Sequence, residues 1–524
     1  MIIYALPLTQ IITETFTSFE LLLAATPVLL LILLLGILKM DGEKSAIFTL
    51  IVTIFIAVWG YHYSLSEIGL TLVYGVLKAI FPILIIILMA IFSYNVQVYT
   101  QKMEVIKDQF SSISTNKSIQ VLLLTWGFGG LLEGMAGFGT AVAIPAAILI
   151  SLGFKPIFSA VASLIANSVA TGFGAVGTPI IVLAREIGMS EHLQSISSDV
   201  VIQLSVLMFL IPFILVTLTD RRLNSIPRNI FLSLLVGGIS LIVQYFSALL
   251  IGAETPAILG SLASIIVIIA IGKITETKKS ENKVIKKHSY KEIIQAWSIY
   301  GLILIFILLT GPLLSIKKSL DPIVSYTFNL NIYDAISQTD KIRHIKISLI
   351  DTGVLLFLGS ILGGLIQGAR LKDLLSLLVK TLLQLKKTVI TVSGLITLST
   401  IMDFSGMIGV LGVSLATTTG FLYPLFAPLI GCLGTFLTGS DTSSNILFGK
   451  LQTTVADRIG ADKGWLAAAN ASGATGGKII SPQSIAVATS SCGQQGKEGE
   501  IMKKAFPYAL LYIIVAGLIV YFGG

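Results

Sequence analysis

Residues 130–145 read GLLEGMAGFGTAVAIP, and residues 434–449 read GTFLTGSDTSSNILFG. Both lie inside long apolar stretches, yet the first is crowded with glycine and the second with glycine, serine and threonine. Each holds one carboxylate, Glu133 or Asp441. A second polar, glycine-rich run follows each of them, IANSVATGFGAVGTP at 165–179 and AAANASGATGGKIISPQS at 467–484. Helices that face lipid are normally monotonous in Leu, Ile and Val. Broken backbone and charge at membrane depth are tolerated only where they are buried in protein or line a polar cavity. Two such pairs, one in each half of the chain, are the pattern of a secondary transporter.

Composition agrees. Of 524 residues, 54% are hydrophobic and only 12% charged, against roughly 25% charged in soluble domains. Apolar runs at 21–38, 80–92 and 302–309 and a mean hydropathy of +0.92 mark an integral membrane protein. The net charge of +8 is spread over short loops between spans, as the positive-inside rule requires. With no basic soluble domain, nucleic acid is excluded as a partner; the lipid bilayer is the implied one. Cys432 and Cys492 sit in or beside apolar segments and imply neither a disulfide framework nor a metal site. No cleaved signal peptide is expected, because the first apolar run is long enough to stay as a span.

The chain reads as an all-α polytopic membrane protein with about twelve spans. They are placed at 20–39, 44–62, 67–100, 157–183, 198–218, 229–250, 256–272, 298–314, 343–366, 386–420, 465–490 and 505–522. Lys39/Lys44, Lys102/Lys107/Lys117, Lys155, Arg221/Arg222/Arg228, the Lys-rich 273–291 segment, Arg370/Lys372 and Lys386/Lys387 all become cytoplasmic if 118–152 and 421–456 are re-entrant hairpins. The first then enters from the cytoplasm and the second from outside. Residues 371–387 read as an amphipathic interfacial helix and 315–342 as a polar outer loop. The order long span, hairpin, broken span, final span occurs twice in opposite orientation, an inverted-topology repeat that places a site at the midplane. This divides the chain into an N-terminal repeat 1–218, a linking region 219–297 and a C-terminal repeat 298–524.

The candidate site residues follow. Glu133, at mid-depth, must be protonated, paired or facing water; tight packing would explain the glycines around it but not the carboxylate. The amides near Gly137, Gly139 and Thr140 suit an anion. The following span offers Asn167, and Pro179 with its glycines disfavours a continuous helix. In the second hairpin Asp441 resembles a helix N-cap, with Ser443, Ser444 and Asn445 beyond it. Its broken partner offers Asn470, Ser472, Lys478 and Gln483; Lys478 either neutralises a substrate carboxylate or pairs with Asp441 or Glu133. The string GATGGK lacks the hydroxyl residue that must follow the lysine of a phosphate loop, so nucleotide hydrolysis is disfavoured. His62, His192, His288 and His344 fall at span ends or in loops, which argues against a histidine relay or metal centre. Arg185 and Glu186 read as a surface pair at an outer span end, or less simply as a gate.

Three strings carry a resemblance: Leu132-Glu133-Gly134 with Ala136-Gly137-Phe138-Gly139-Thr140; Thr435 through Asn445 (TFLTGSDTSSN); and Lys478 through Ala488 (KIISPQSIAVA). Together they closely resemble the bacterial L-lactate permease family over nearly the whole chain. The resemblance implies a proton-coupled symporter for lactate, and often glycolate, in the bacterial cytoplasmic membrane, without a cofactor. The family commonly has alanine where Met135 stands, proline where Ala141 stands, proline near Ala170 and an aliphatic residue at Thr178. These departures all lie in the first half-site, where specificity is best sought.

The expected mechanism follows. Hairpin amides hold the substrate carboxylate, and Asn167, Asn470 or Gln483 binds the hydroxyl. Glu133 and Asp441 are the candidate proton carriers, one of which protonates with substrate bound and deprotonates inside. Sodium coupling through Asp441, Ser443 and Asn445 is the alternative. A membrane-embedded hydrolase is disfavoured because no buried histidine is there to activate a serine, and a passive channel because opposed hairpins suit alternating access. The partners are a small monocarboxylate, a proton and the bilayer, with a homo-oligomer left open.

Overall fold

The computed structural model describes residues 18–524 apart from 39, 112–113, 138, 276–287, 311–315 and 336–337. Lys39, Phe138 and most of the Lys-rich 273–291 segment therefore lie outside the described residues. Among those described, ten helices are long and apolar enough to cross a membrane, eleven when the pair Pro156–Thr171 and Gly174–Glu186, bent by 47°, is one span. The longest, Leu65–Tyr99, starts at a reciprocal cap: Ser64 Oγ accepts from the Glu67 amide, and Glu67 Oε2 accepts from the Ser64 amide.

The twelve-span reading is corrected in three places. The expected span 343–366 is a strand followed by a helix of only fifteen residues, Thr352–Ile366. The expected span 386–420 breaks at Gly406 (φ 91°) into Lys386–Phe404 and Met407–Thr419. The polar loop expected at 315–342 contains one strand of a β-hairpin: β1 (Ser325–Asp334) pairs antiparallel with β2 (Thr339–Ser348), Ser325 opposite Ser348 and Asp334 opposite Thr339. SYTFNLNIYD alternates with a period of two and TDKIRHIKIS is mostly polar, so a search for long apolar runs overlooks both. The hairpin seats its buried Ile332 and Ile345 on the helices below, and Tyr63 Oη donates to the Tyr333 carbonyl at 2.7 Å. The interfacial helix is present as Leu371–Gln384.

Contacts sort the loops into two ends. At the Lys/Arg-rich end, which the positive-inside rule makes cytoplasmic, Lys387 reaches Glu43 (3.0 Å), Arg228 reaches Asn116 (3.3 Å) and Thr100 donates to Gln367 (2.6 Å). At the other end Thr352 meets Glu254, Gln194 meets the Leu250 carbonyl and Trp465 Nε1 donates to the Val520 carbonyl. The first hairpin has arms Lys117–Met135, passing through a π-helical stretch Leu122–Phe128, and Thr140–Ser151. It starts and returns at the cytoplasmic end, where the Lys117 ammonium sits over the Phe154 ring. The second hairpin, Tyr423–Thr438 and Asp441–Ile459, starts and returns at the outer end.

Glycine sets how closely these pieces pack. A Cβ on Gly473 would stand 1.9 Å from the Pro428 carbonyl oxygen, and one on Gly431 would stand 2.0 Å from that of Asn470. The second hairpin and its broken partner, Lys463–Lys478, thus touch backbone to backbone. Gly473→Ala and Gly431→Ala should each cost about 1–3 kcal/mol by forced overpacking, read as a lower melting temperature of the purified protein. Gly301→Ala, inside the helix Tyr290–Thr310 where nothing lies within 4 Å, should leave it unchanged or raise it slightly.

Candidate functional site

A cavity of about 970 Å³ enters from the cytoplasmic end, past Asp41, Glu43, Lys387 and Glu498, and ends blindly against both hairpin tips. Glu133, Asp441 and Lys478 line its deep part, with Gly137, Gly139, Ser443 and Gln483.

The tips are built by local chemistry. In the first, Gly137 (φ 63°) and Gly139 (φ 86°) take left-handed conformations that reverse the chain, and Thr140 Oγ1 closes the turn on the Gly137 carbonyl at 2.9 Å. In the second, Ser440 rather than Asp441 is the N-cap: its Oγ accepts from the Ser443 amide at 3.2 Å. That leaves Asp441 in the first helical turn with its carboxylate available. Its Oδ1 accepts from Thr435 at 3.1 Å, whereas its Oδ2 is buried without a hydrogen-bond partner among the described residues. Glu133 is equally incomplete, with Oε2 buried and unpartnered among those residues. Gly174 lacks a side chain for a reason: a Cβ there would stand 2.6 Å from Glu133 Oε1.

Lys478 ends the first half of the second broken span, where a helix C-terminus favours a cation. Its Nζ donates to the Gly439 carbonyl at 3.0 Å, tying it to the second tip, and it lies within electrostatic reach of both Glu133 and Asp441. The chain then restarts at Ser481, which caps Pro482–Ser491 and aims Gln483 at Gly439. Val487 meets Gly139 of the opposite tip, and Thr475 meets Gly172, so the two broken spans cross here.

Not every residue singled out from sequence borders the cavity. Ser444 donates to the Gly431 carbonyl (2.7 Å), clamping the two arms of the second hairpin. Asn445 Nδ2 donates to the Pro179 carbonyl, and its Oδ1 accepts from Asn470, both at 2.9 Å. Asn470 Oδ1 accepts from Gln452, and Ser472 donates to Gln203 Oε1. Thr140 closes its own turn. Asn167 lies beside Glu133, close enough to interact with its carboxylate, but off the cavity lining. The sequence reading missed Thr171 and Gly174, which line the cavity, Thr435, which donates to Asp441, and Gln452 and Gln203, which partner Asn470 and Ser472. Thr171 stood one turn beyond Asn167, and Gln452 two turns beyond Asn445, so helical spacing from the first residues would have found them.

The chain from residue 20 to 523 matches the family model described as L-lactate permease. The chain belongs to the L-lactate permease family. Relatives include an L-lactate permease of Streptococcus iniae, 40% identical over 86% of this chain and 94% of that one. The glycolate permease GlcA of Escherichia coli is 33% identical over 95% and 94%. Among solved structures, the Alcanivorax borkumensis YdaH transporter aligns with a TM-score of 0.47 at 14% identity, covering 86% of this chain and 87% of that one. Membership and the spans together make this a multi-pass protein of the bacterial cytoplasmic membrane. Of the four positions at which the sequence reading expected departures from the family, only Thr178 borders the cavity; Met135, Ala141 and Ala170 are buried off its lining.

The Gly174–Glu133 contact is directly testable. Gly174→Ala should destabilise the protein by about 1–3 kcal/mol, and adding Glu133→Ala should recover most of that loss. Melting temperatures of the two single variants and the double variant would expose an additive, hence unrelated, pair.

Proposed function

We propose that this protein takes up L-lactate and related small 2-hydroxymonocarboxylates, glycolate and D-lactate among them, with a proton by alternating access, and performs no chemistry on them. One observation carries the reading: Glu133, Asp441 and Lys478 meet at the blind end of a cavity where two oppositely oriented half-sites cross. The names of the lactate and glycolate permeases to which the chain is similar support the substrate class.

Lys478 has three N–H donors and spends one on Gly439, leaving donors for a carboxylate. Gln483, lining the cavity beside it, is the hydroxyl reader on this view. Asn470 is already committed to Asn445, Ser444 and Gln452. The amides about Gly137 and Gly139 complete the anion site from the opposite tip. A monocarboxylate adds one negative charge to two carboxylates and one lysine, so a proton taken by Glu133 or Asp441 keeps the loaded site no more charged than the empty one. Moving a net charge through a low-dielectric region is what this arrangement avoids.

The test is uptake and counterflow in liposomes. Lactate should accumulate under a pH gradient without sodium. Glu133→Gln or Asp441→Asn, whichever removes the proton carrier, should abolish gradient-driven accumulation while retaining lactate counterflow. Full accumulation by both variants would sink the proton assignment, and a strict sodium requirement would replace it. Lys478→Gln should raise the KM for lactate by roughly tenfold or more, the loss of one charge-assisted contact of about 1.5–3 kcal/mol.

A further inference from the structure

The cavity stops at Pro179 and Ser443, and no described residue farther out on either helix lines it. Outward of that point Gly174–Glu186 and Asp441–Ile459 pack on each other so tightly that a Cβ on Gly449 would stand 2.6 Å from Leu183 Cδ1. The segment Leu65–Lys78 and the helix Lys386–Phe404 form a second tight pair, in which a Cβ on Gly75 would stand 2.8 Å from Thr397 Cα.

Two ion pairs join these two helix pairs. Lys78 Nζ lies 2.9 Å from Glu186 Oε2, the side chains 17% and 3% exposed. Asp403 Oδ2 lies 4.0 Å from Lys450 Nζ. Their polarity is opposite: the first puts its cation on the Leu65–Lys78 side, the second its anion on the Lys386–Phe404 side. Asp403 is at the outer end, since the adjoining Phe404 carbonyl accepts from the amide of Ala335, which follows β1. Glu186 is therefore no surface residue, and Arg185 does not pair with it: Arg185 lies within electrostatic reach of Asp351 and Glu254 instead. Neither ion pair takes part in the site proposed above.

We propose that Lys78–Glu186, seconded by Asp403–Lys450, is the outer closure of the transport site, made while the cavity is open to the cytoplasm and broken when the site opens outward. A contact present in one state only shifts the balance of states by its own free energy. A buried pair that loses one partner leaves a charge that favours the state in which water reaches it. The complementary polarity gives the two helix pairs one register at which both contacts form.

The measurement reads access alone and is independent of substrate and coupling ion. A single cysteine replaces Leu437, which lines the cavity, with Cys432→Ala and Cys492→Ala as background. A membrane-impermeant maleimide is applied to right-side-out and to inside-out vesicles. Lys78→Gln and Glu186→Gln should each raise outside labelling several-fold and lower inside labelling, and the swap of Lys78→Glu with Glu186→Lys should restore the parent pattern. Parental labelling in both single variants overturns the proposal, as does a swap that labels like either of them. Asp403→Asn, at a partly exposed position, repeats the measurement on the second bridge. If the buried variants fail to insert, its outside labelling decides: raised supports the closure, unchanged overturns it.

Discussion

A chain that turns back halfway across a bilayer leaves peptide groups where no water can meet them, and each unmet group costs several kcal/mol. The site rests on how this protein meets that constraint. The second hairpin and its broken partner press backbone against backbone at Gly431 and Gly473. Ser444, Asn445, Asn470 and Gln452 then satisfy one another and the nearby carbonyls. Glycine brings the segments close enough, and the amides finish the hydrogen bonding. With either part missing, the Asp441 turn would have no dry, rigid support.

The first half-site meets the same constraint differently. Its broken span carries three consecutive left-handed residues, Ala175 (φ 44°), Val176 (φ 57°) and Gly177 (φ 72°). A β-branched residue rarely tolerates that region, and such strain persists only where surrounding structure enforces it. Here the enforcement is visible: Val176 is fully buried, Gly177 abuts the Ala253 carbonyl, and the first tip packs on Ala175. The second half is held by polar satisfaction, the first by packing against a strained turn. The inverted repeat is thus alike in topology and unlike in energetics.

This difference governs what could be read from sequence. The hairpins, the broken spans and their opposed orientation were legible because clustered glycine and polar side chains are costly in a helix that faces lipid, and because loop charge fixes the side. Glu133, Asp441 and Lys478 were legible as charges at mid-depth. The roles of Ser444, Asn445, Asn470 and Ser472 were not, because a buried amide that supports backbone and one that faces a ligand look alike in a string. Whether Ser440 or Asp441 caps the helix is settled by one residue of register, which composition does not reveal. The β-hairpin was lost because one strand alternates, the other is mostly polar, and both lie between membrane spans.

Charge balance separates the charges that support from those that bind, since Glu186 Oε1, like the site carboxylates, is buried without a hydrogen-bond partner among the described residues. Lys78 and Glu186 are matched to each other across two helix pairs, and Asp403 and Lys450 repeat the match in reverse polarity. At the blind end of the cavity the tally is uneven: two carboxylates, each with a buried oxygen lacking a partner among the described residues, share the field of one lysine. Isolating an unsatisfied charge in a low-dielectric interior is costly, and the cost falls when a proton or a complementary ligand arrives. Matched charges therefore favour one arrangement of helices, whereas unmatched ones favour occupancy. A transporter needs both, and here one helix, Asp441–Ile459, carries a member of each: Asp441 at its inner end and Lys450 farther out. A ligand that completes the charge at Asp441 therefore acts on the same helix that carries Lys450, and binding and closure share that element.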